Sequence, residues 1–195
     1  ALSFSERDES HFYDRKALGI KPNKIEKIAV AFSNADGGEF VIGILDDSDE
    51  ENPSLRWKGA SDVEDLNAHL QSLFTLTPAL DVSYEILRCS DKPGYCLRVQ
   101  VEKNSQVCKT SDGTVYARHG AQSLPVKDPE RILQLTYAKG AASYEDQVVP
   151  AMKTEAIVES PVMKDFLKSY SPRTDALDFA VNQNLLDPTS WVPRI

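Results

Sequence analysis

Nowhere in the chain does an apolar run approach the roughly 18 residues that a membrane-spanning helix requires. The first residues, ALSFSERDESH, also lack the basic start and apolar middle of an export signal, which points to a cytoplasmic protein with no membrane partner. Cysteine is scarce. Cys89, Cys96 and Cys108 are odd in number, with no C-x-x-C spacing and no paired histidines, which argues against a disulfide framework or a zinc site. Histidine is equally sparse: His11, His69 and His119 have no serine or cysteine arranged beside them as a triad, and they read as surface or packing residues. There is no internal repeat and no low-complexity tract.

Positive charge is in deficit too. Against 22 Lys and Arg stand 30 Asp and Glu, a formal net charge of -8, with a sequence pI near 4.9. Such a balance excludes a surface that grips polyphosphate everywhere, so any nucleic-acid contact needs a local basic patch. With 41% hydrophobic and 27% charged residues in 195, there is material for one full core and something more.

The patterning locates that core. HFYDRKAL, residues 11–18, reads as a first strand, broken by GIKPN. Ile25, Ile28, Ala29 and Phe32 then recur at the spacing of one buried helix face, while Lys24 and Lys27 share another, and the helix should stop between Asn34 and Gly38. In EFVIGILDD both alternating sets are apolar or small, which predicts a central strand covered on both sides. DDSDEENPSLRWKG follows as an exposed acidic loop, with Trp57 as an exposed aromatic. Ser61 and Glu64 form a capping box for a second helix carrying Val63, Leu66, Leu70, Leu73 and Phe74.

LDVSYEILRC and GYCLRVQVE form a hairpin, and VCK, SDGT and VYARHG suggest another. Asp128 as N-cap and Pro129 at the first helical position open a third helix. The expected fold class is α+β, or mixed α/β: a central mixed, largely antiparallel sheet with three helices, followed by a short helical extension. The domain should occupy residues 1–140, with 141–195 as a linker and helical extension that starts a further region of a longer protein. In that extension Ser160 and Pro161 start a helix turning Val162, Phe166, Leu167 and Tyr170 inward, and Thr174 to Leu186 is a candidate for another.

Three segments, in order, carry a resemblance. AFSNADGGEFVIGILDD, preceded by ESHFYDRK and followed by VYARHGAQS, resembles the signature of the Schlafen AlbA_2 domain family over roughly residues 5–140. Asp14 stands where that family usually has Glu, His119 replaces a common Val, and the acidic loop after Asp47 is longer than the usual turn. The resemblance implies a nucleic-acid (DNA) binding module at the front of a bacterial transcriptional regulator or ATPase-like protein. Some eukaryotic members are similar to metal-dependent RNases with clustered carboxylates, which implies an endonuclease as the alternative. A non-catalytic oligomerisation or interaction module, with a homo-oligomer as partner, is a third reading.

Each reading selects residues. Asn34, Gly37 and Gly38 are expected to be a structural turn: no Lys-Ser or Lys-Thr follows the glycines, and a positive φ would end the helix without steric cost. A nuclease would use Glu9, Asp14, Lys16 and Asp47 as its catalytic set, with Glu9, Asp14 and Asp46 holding Mg or Mn; only that reading calls for a cofactor. Asp14 and Lys16 share a strand face, whereas Glu9 reaches it only if the chain bends. A nucleic-acid surface, for DNA or RNA, would be built from Arg15, Lys21, Lys24, Lys27 and Arg118, with Tyr116 adding base stacking.

Overall fold

The computed structural model of the chain describes residues 2–140 and 148–194. Their contacts divide into two compact units, Ala1–Ala141 and Ala142–Ile195. Among the described residues, no helix is long and apolar enough to cross a membrane.

In the first unit a short helix α1 (Leu2–Glu6) precedes strand β1 (Tyr13–Lys16). Helix α2 (Pro22–Asn34) then crosses over to β2 (Gly38–Ile42), which pairs in parallel with β1. Parallel neighbours need such a crossover, and α2 has the apolar stripe to cover the sheet as it returns. After α3 (Asn67–Phe74), β3 (Val82–Arg88) and β4 (Tyr95–Val101) form the expected hairpin. β4 lies against β2, giving the antiparallel-rich order β1-β2-β4-β3. The α+β class read from the sequence is therefore the observed one.

β2 is central and covered on both sides. Phe40 and Ile42 join Ile25, Ile28, Ala29 and Phe32 of α2. Val41 faces the other way, into a cluster with Tyr13, Ile44, Trp57 and Cys96. Burial pushes the Cys96 thiol up to about 12, as befits a packing cysteine.

The end of α2 depends on its glycines. Gly37 has φ 78° and Gly38 φ 155°, and the Gly37 N–H donates to the Phe32 carbonyl at 3.0 Å. A Cβ on Gly38 would stand 2.5 Å from the Phe32 ring. Gly38→Ala combines a strained φ with an overpacked core and is expected to cost about 1–3 kcal/mol, read as a lower urea midpoint. Asn34 does more than mark the turn. Its Nδ2 donates to the Cys108 and Tyr116 carbonyls at 2.8 and 2.9 Å, and its Oδ1 accepts the Cys108 N–H at 2.8 Å.

That clamp corrects the second hairpin. The backbone of Cys108 is held by Asn34 and so does not form a ladder with VYARH. Instead β5 (Val115–His119) pairs with β6 (Gln122–Val126) across Gly120 and Ala121. The acidic insertion is corrected as well, because Arg56 and Trp57 in its second half are buried. Trp57 is only 4% exposed, bridges to Ile44, and donates Nε1–H to the Pro93 carbonyl at 3.0 Å. An indole can cover the open face of β2 once its N–H has a partner. The capping box lies one residue later than expected, with Asp62 and Asp65 opening a 3-10 turn into α3. Leu66 of that turn and Leu73 of α3 are buried, whereas Val63 of the turn and Phe74 of α3 remain exposed. Asp128 caps α4 (Pro129–Ala138) as predicted.

The second unit contains α5 (Glu155–Val158), α6 (Pro161–Tyr170) and α7 (Ala176–Asn182). It encloses a small cluster of Met163, Leu167, Ala180 and Leu186. Ser160 caps α6 by accepting the Met163 N–H at 3.1 Å, and the Met163/Leu167 stripe faces inward. Val162 and Tyr170, expected inside, are 79% and 72% exposed, and Phe166 is also exposed. Phe166 stacks on Tyr170 instead, with ring centroids 5.1 Å apart.

Candidate nucleic-acid interface

A cleft of about 710 Å³ opens where β1 ends. Its walls come from Asp14, Arg15 and Lys16 of β1, the turn through Ala17, Gly19 and Ile20, the first turns of α2 with Lys24, Lys27 and Ile28, and two other segments. The loop after β2 adds Asp46 and Asp49, and the β5–β6 hairpin adds Arg118, Ala121 and Ser123.

Strand alternation sorts the charges of β1 onto two faces. On the cleft face the buried Asp14 carboxylate meets Lys16 Nζ at 2.5 Å and Arg118 Nη1 at 2.8 Å. Arg118 also donates to Ser123 Oγ at 3.2 Å and to the Ser10 and Tyr13 carbonyls at 2.8 and 3.3 Å. Its guanidinium lies over the Phe32 ring, 4.6 Å from the centroid. On the opposite face Arg15 is fully buried. It donates to the Ser5 and Arg7 carbonyls at 3.3 and 2.5 Å and pairs with Asp47, which also meets Arg56 at 2.6 Å.

Of the carboxylates a nuclease would use, Asp14 and Asp46 line the cleft, whereas Asp47 is paired with Arg15 on the other face. The chain does bend enough for Glu9 to accept from Lys16 Nζ at 2.8 Å and from the Arg15 N–H at 3.2 Å. Asp14 is occupied by two cations, and Asp47 serves the other side of the strand. Among the described residues, no group of three or more His, Cys, Asp or Glu is placed to hold a metal ion. Glu9, Asp14 and Asp46 do not fit Mg or Mn, which need several oxygens free for one ion.

Of the six residues expected on a nucleic-acid surface, Arg15 and Arg118 are buried within the fold. Tyr116 is half-buried, with Lys27 Nζ 5.5 Å from its ring centroid. Lys24 is exposed at the cleft and Lys27 half-buried there; neither makes an ion pair among the described residues. Lys21, exposed, precedes the first turn of α2 and lies outside the cleft lining. Gly19, Asp49, Ala121 and Ser123 were not singled out from the sequence; Ser123 and Ala121 fall within VYARHGAQS, so that motif was the available signal.

Two ion-paired groups, Lys16 at the cleft and Glu39 at the other end of the sheet, tie the stability of the first unit to pH. Burial pulls the Lys16 ammonium down, but the charges and hydrogen bonds of Asp14 and Glu9 outweigh it and leave it above its ordinary 10.5. Burial likewise pushes Glu39 up, but Arg98 and Arg7 overcome that and hold it below its ordinary 4.5. A raised lysine contributes stability below pH 10.5 that is lost as pH rises through its folded value. A lowered glutamate contributes stability above pH 4.5 that is lost as pH falls through its folded value. The alkaline loss begins already near pH 9, because the buried Cys96 thiol, pushed up to about 12, ionises only in the unfolded chain there; in thermal unfolding followed by circular dichroism, Glu39→Gln should flatten part of the acid limb.

Comparison with known proteins gives three findings. Residues 9–127 match the family described as Schlafen, AlbA_2. No curated protein matches the chain. Among solved structures, the DIP2311 protein from Corynebacterium diphtheriae is similar, with 15% identity and a TM-score of 0.50, covering 98% of this chain and 41% of that one. At that identity the likeness concerns the fold alone, and this chain spans less than half of that protein's length. The family match runs from Glu9, ahead of β1, to Lys127, after β6, and includes every residue that lines the cleft; the chain belongs to the Schlafen AlbA_2 family.

Proposed function

We propose that the domain binds nucleic acid, DNA or RNA, in the cleft between β1, α2 and the β5–β6 hairpin, as the binding module of a bacterial transcriptional regulator or ATPase-like protein. Membership of the Schlafen AlbA_2 family, which points to nucleic-acid association in general, supports this reading. The observation that carries it is the state of Lys24 and Lys27. In a chain of net charge -8 these two cations sit side by side on one helix face at a cleft, without an ion pair among the described residues. Phosphates bound there would release counterions, so affinity should depend on salt. The buried Arg118–Asp14 pair holds the hairpin wall in place and leaves the lysines to meet the ligand.

Anisotropy titration of labelled single- and double-stranded DNA and RNA, over roughly 50–200 mM salt, tests this. Two lysine–phosphate contacts predict a slope of log affinity on log salt of about -1.5 to -2. Absent or salt-independent binding overturns the proposal. The alternative of a metal-dependent nuclease draws no support from carboxylates already paired with Lys16, Arg118, Arg15 and Arg56.

A further inference from the structure

Phosphates alone need no apolar wall, yet Ala17, Ile20, Ile28 and Ala121 line the cleft beside the charged groups. Its volume, about 710 Å³, lies within the roughly 300–1,000 Å³ of pockets that take small organic ligands. The charged lining is also divided. Lys24 and Lys27 come from α2, whereas Asp46 and Asp49 come from the loop after β2 and make no ion pair among the described residues. One oxygen of Asp46 accepts the Asp47 N–H at 2.6 Å, which leaves the other for a ligand.

Gly19 is an independent pointer. It sits in a turn closed by the Ile20 N–H and the Ala17 carbonyl at 3.1 Å. It is not among the glycines with positive φ, and a Cβ built on it would meet nothing within 4 Å. By contrast Gly37, Gly38, Gly43, Gly59 and Gly94 all have positive φ, and a Cβ on each would meet an atom closer than 3.0 Å. Neither backbone conformation nor packing requires glycine at position 19, where a side chain would have only the open space beside the cleft to occupy.

We infer that the cleft takes one unstacked nucleobase of a single-stranded nucleic acid. The ring lies against Ile20 and Ile28, its flanking phosphates meet Lys24 and Lys27, and an exocyclic amino group donates to Asp46 or Asp49. Single strands offer unstacked bases with their edges free, whereas a duplex must first flip one out. Carboxylates favour the bases that carry an exocyclic amino donor, cytosine, adenine and guanine, over thymine, which has none. This inference rests on the nucleic-acid reading of the same cleft and adds its ligand class.

The test titrates the full 195-residue chain with labelled oligodeoxycytidine, oligothymidine and a base-free phosphodiester strand of equal length, using the wild type and Gly19→Leu. The wild type should hold oligodeoxycytidine about tenfold more tightly than the base-free strand and more tightly than oligothymidine. Gly19→Leu should erase both preferences while leaving the circular dichroism spectrum and the salt slope unchanged. Equal affinity of the wild type for oligodeoxycytidine and the base-free strand, or for the two base-bearing strands, overturns the inference, as does a Gly19→Leu protein that keeps the preferences. Salt-dependent retention of the base-free strand at full strength would leave the lysine reading standing and sink this one alone. Loss of all binding would sink both.

Discussion

Arg118→Leu is expected to lower the unfolding free energy by about 3–5 kcal/mol, the range found when one partner of a buried ion pair is removed. Arg118 and Asp14 are 3% and 2% exposed, and the guanidinium also ties the β5–β6 hairpin to the Ser10 and Tyr13 carbonyls at the start of β1. Without it the Asp14 carboxylate stays buried with Lys16 as its remaining cation. Desolvating a charge costs several kcal/mol unless its partners compensate, so the loss exceeds that of an ordinary surface pair. Urea unfolding monitored by the fluorescence of the buried Trp57 in a Trp191→Phe background measures it. Asp14→Asn/Arg118→Leu should lose less than the sum of the two single variants, because the double change leaves no uncompensated carboxylate at this site. Strict additivity would show that the pair does not act as a unit.

The second large effect is on binding. Lys24→Glu/Lys27→Glu should weaken nucleic-acid affinity by at least about thirtyfold at low salt, since each lysine–phosphate attraction in water is worth about 1 kcal/mol. Charge reversal adds repulsion to that deficit. The salt slope should fall by about 1.5 to 2. Folding should survive, since neither lysine makes an ion pair among the described residues and Lys24 lies in the first turn of α2, where an acidic residue interacts favourably with the helix dipole. Retained affinity in a folded double variant would place the ligand elsewhere.

The parts of the fold governed by local periodicity were legible in the sequence. The α2 stripe, the two-sided apolar β2, the β3–β4 hairpin and the Asp128 cap follow from spacing that neighbouring residues set among themselves. What could not be read depends on distant partners. Trp57 is buried because Ile44 and Pro93 receive it, and VCK leaves the hairpin because Asn34, 74 residues away, takes the Cys108 backbone. On α6 the inward stripe was displaced to Met163, which the packing of α7 and Leu186 accommodates.

The candidate site divided along the same line. Alternation correctly put Asp14 and Lys16 on one face, and the shared helical face of Lys24 and Lys27 was visible from their spacing. That Arg15 is buried opposite them depends on Ser5, Arg7 and Asp47, 8 to 32 residues away, and that Arg118 spends its donors on Asp14, Ser10 and Tyr13 depends on contacts 104 to 108 residues apart. A list of basic residues therefore overstated the surface: the fold consumes two of its arginines and leaves the lysines of α2 available.

The most direct test is a ¹H–¹⁵N correlation spectrum of the protein titrated with a single-stranded oligonucleotide at low salt. The account predicts that perturbed amides cluster at Gly19, Lys24, Lys27, Ala121 and Ser123, and that the changes reverse as salt is raised. Perturbations confined to the opposite end of β2, around Gly37, Glu39 and Gln100, or to the unit beyond residue 142, would contradict it.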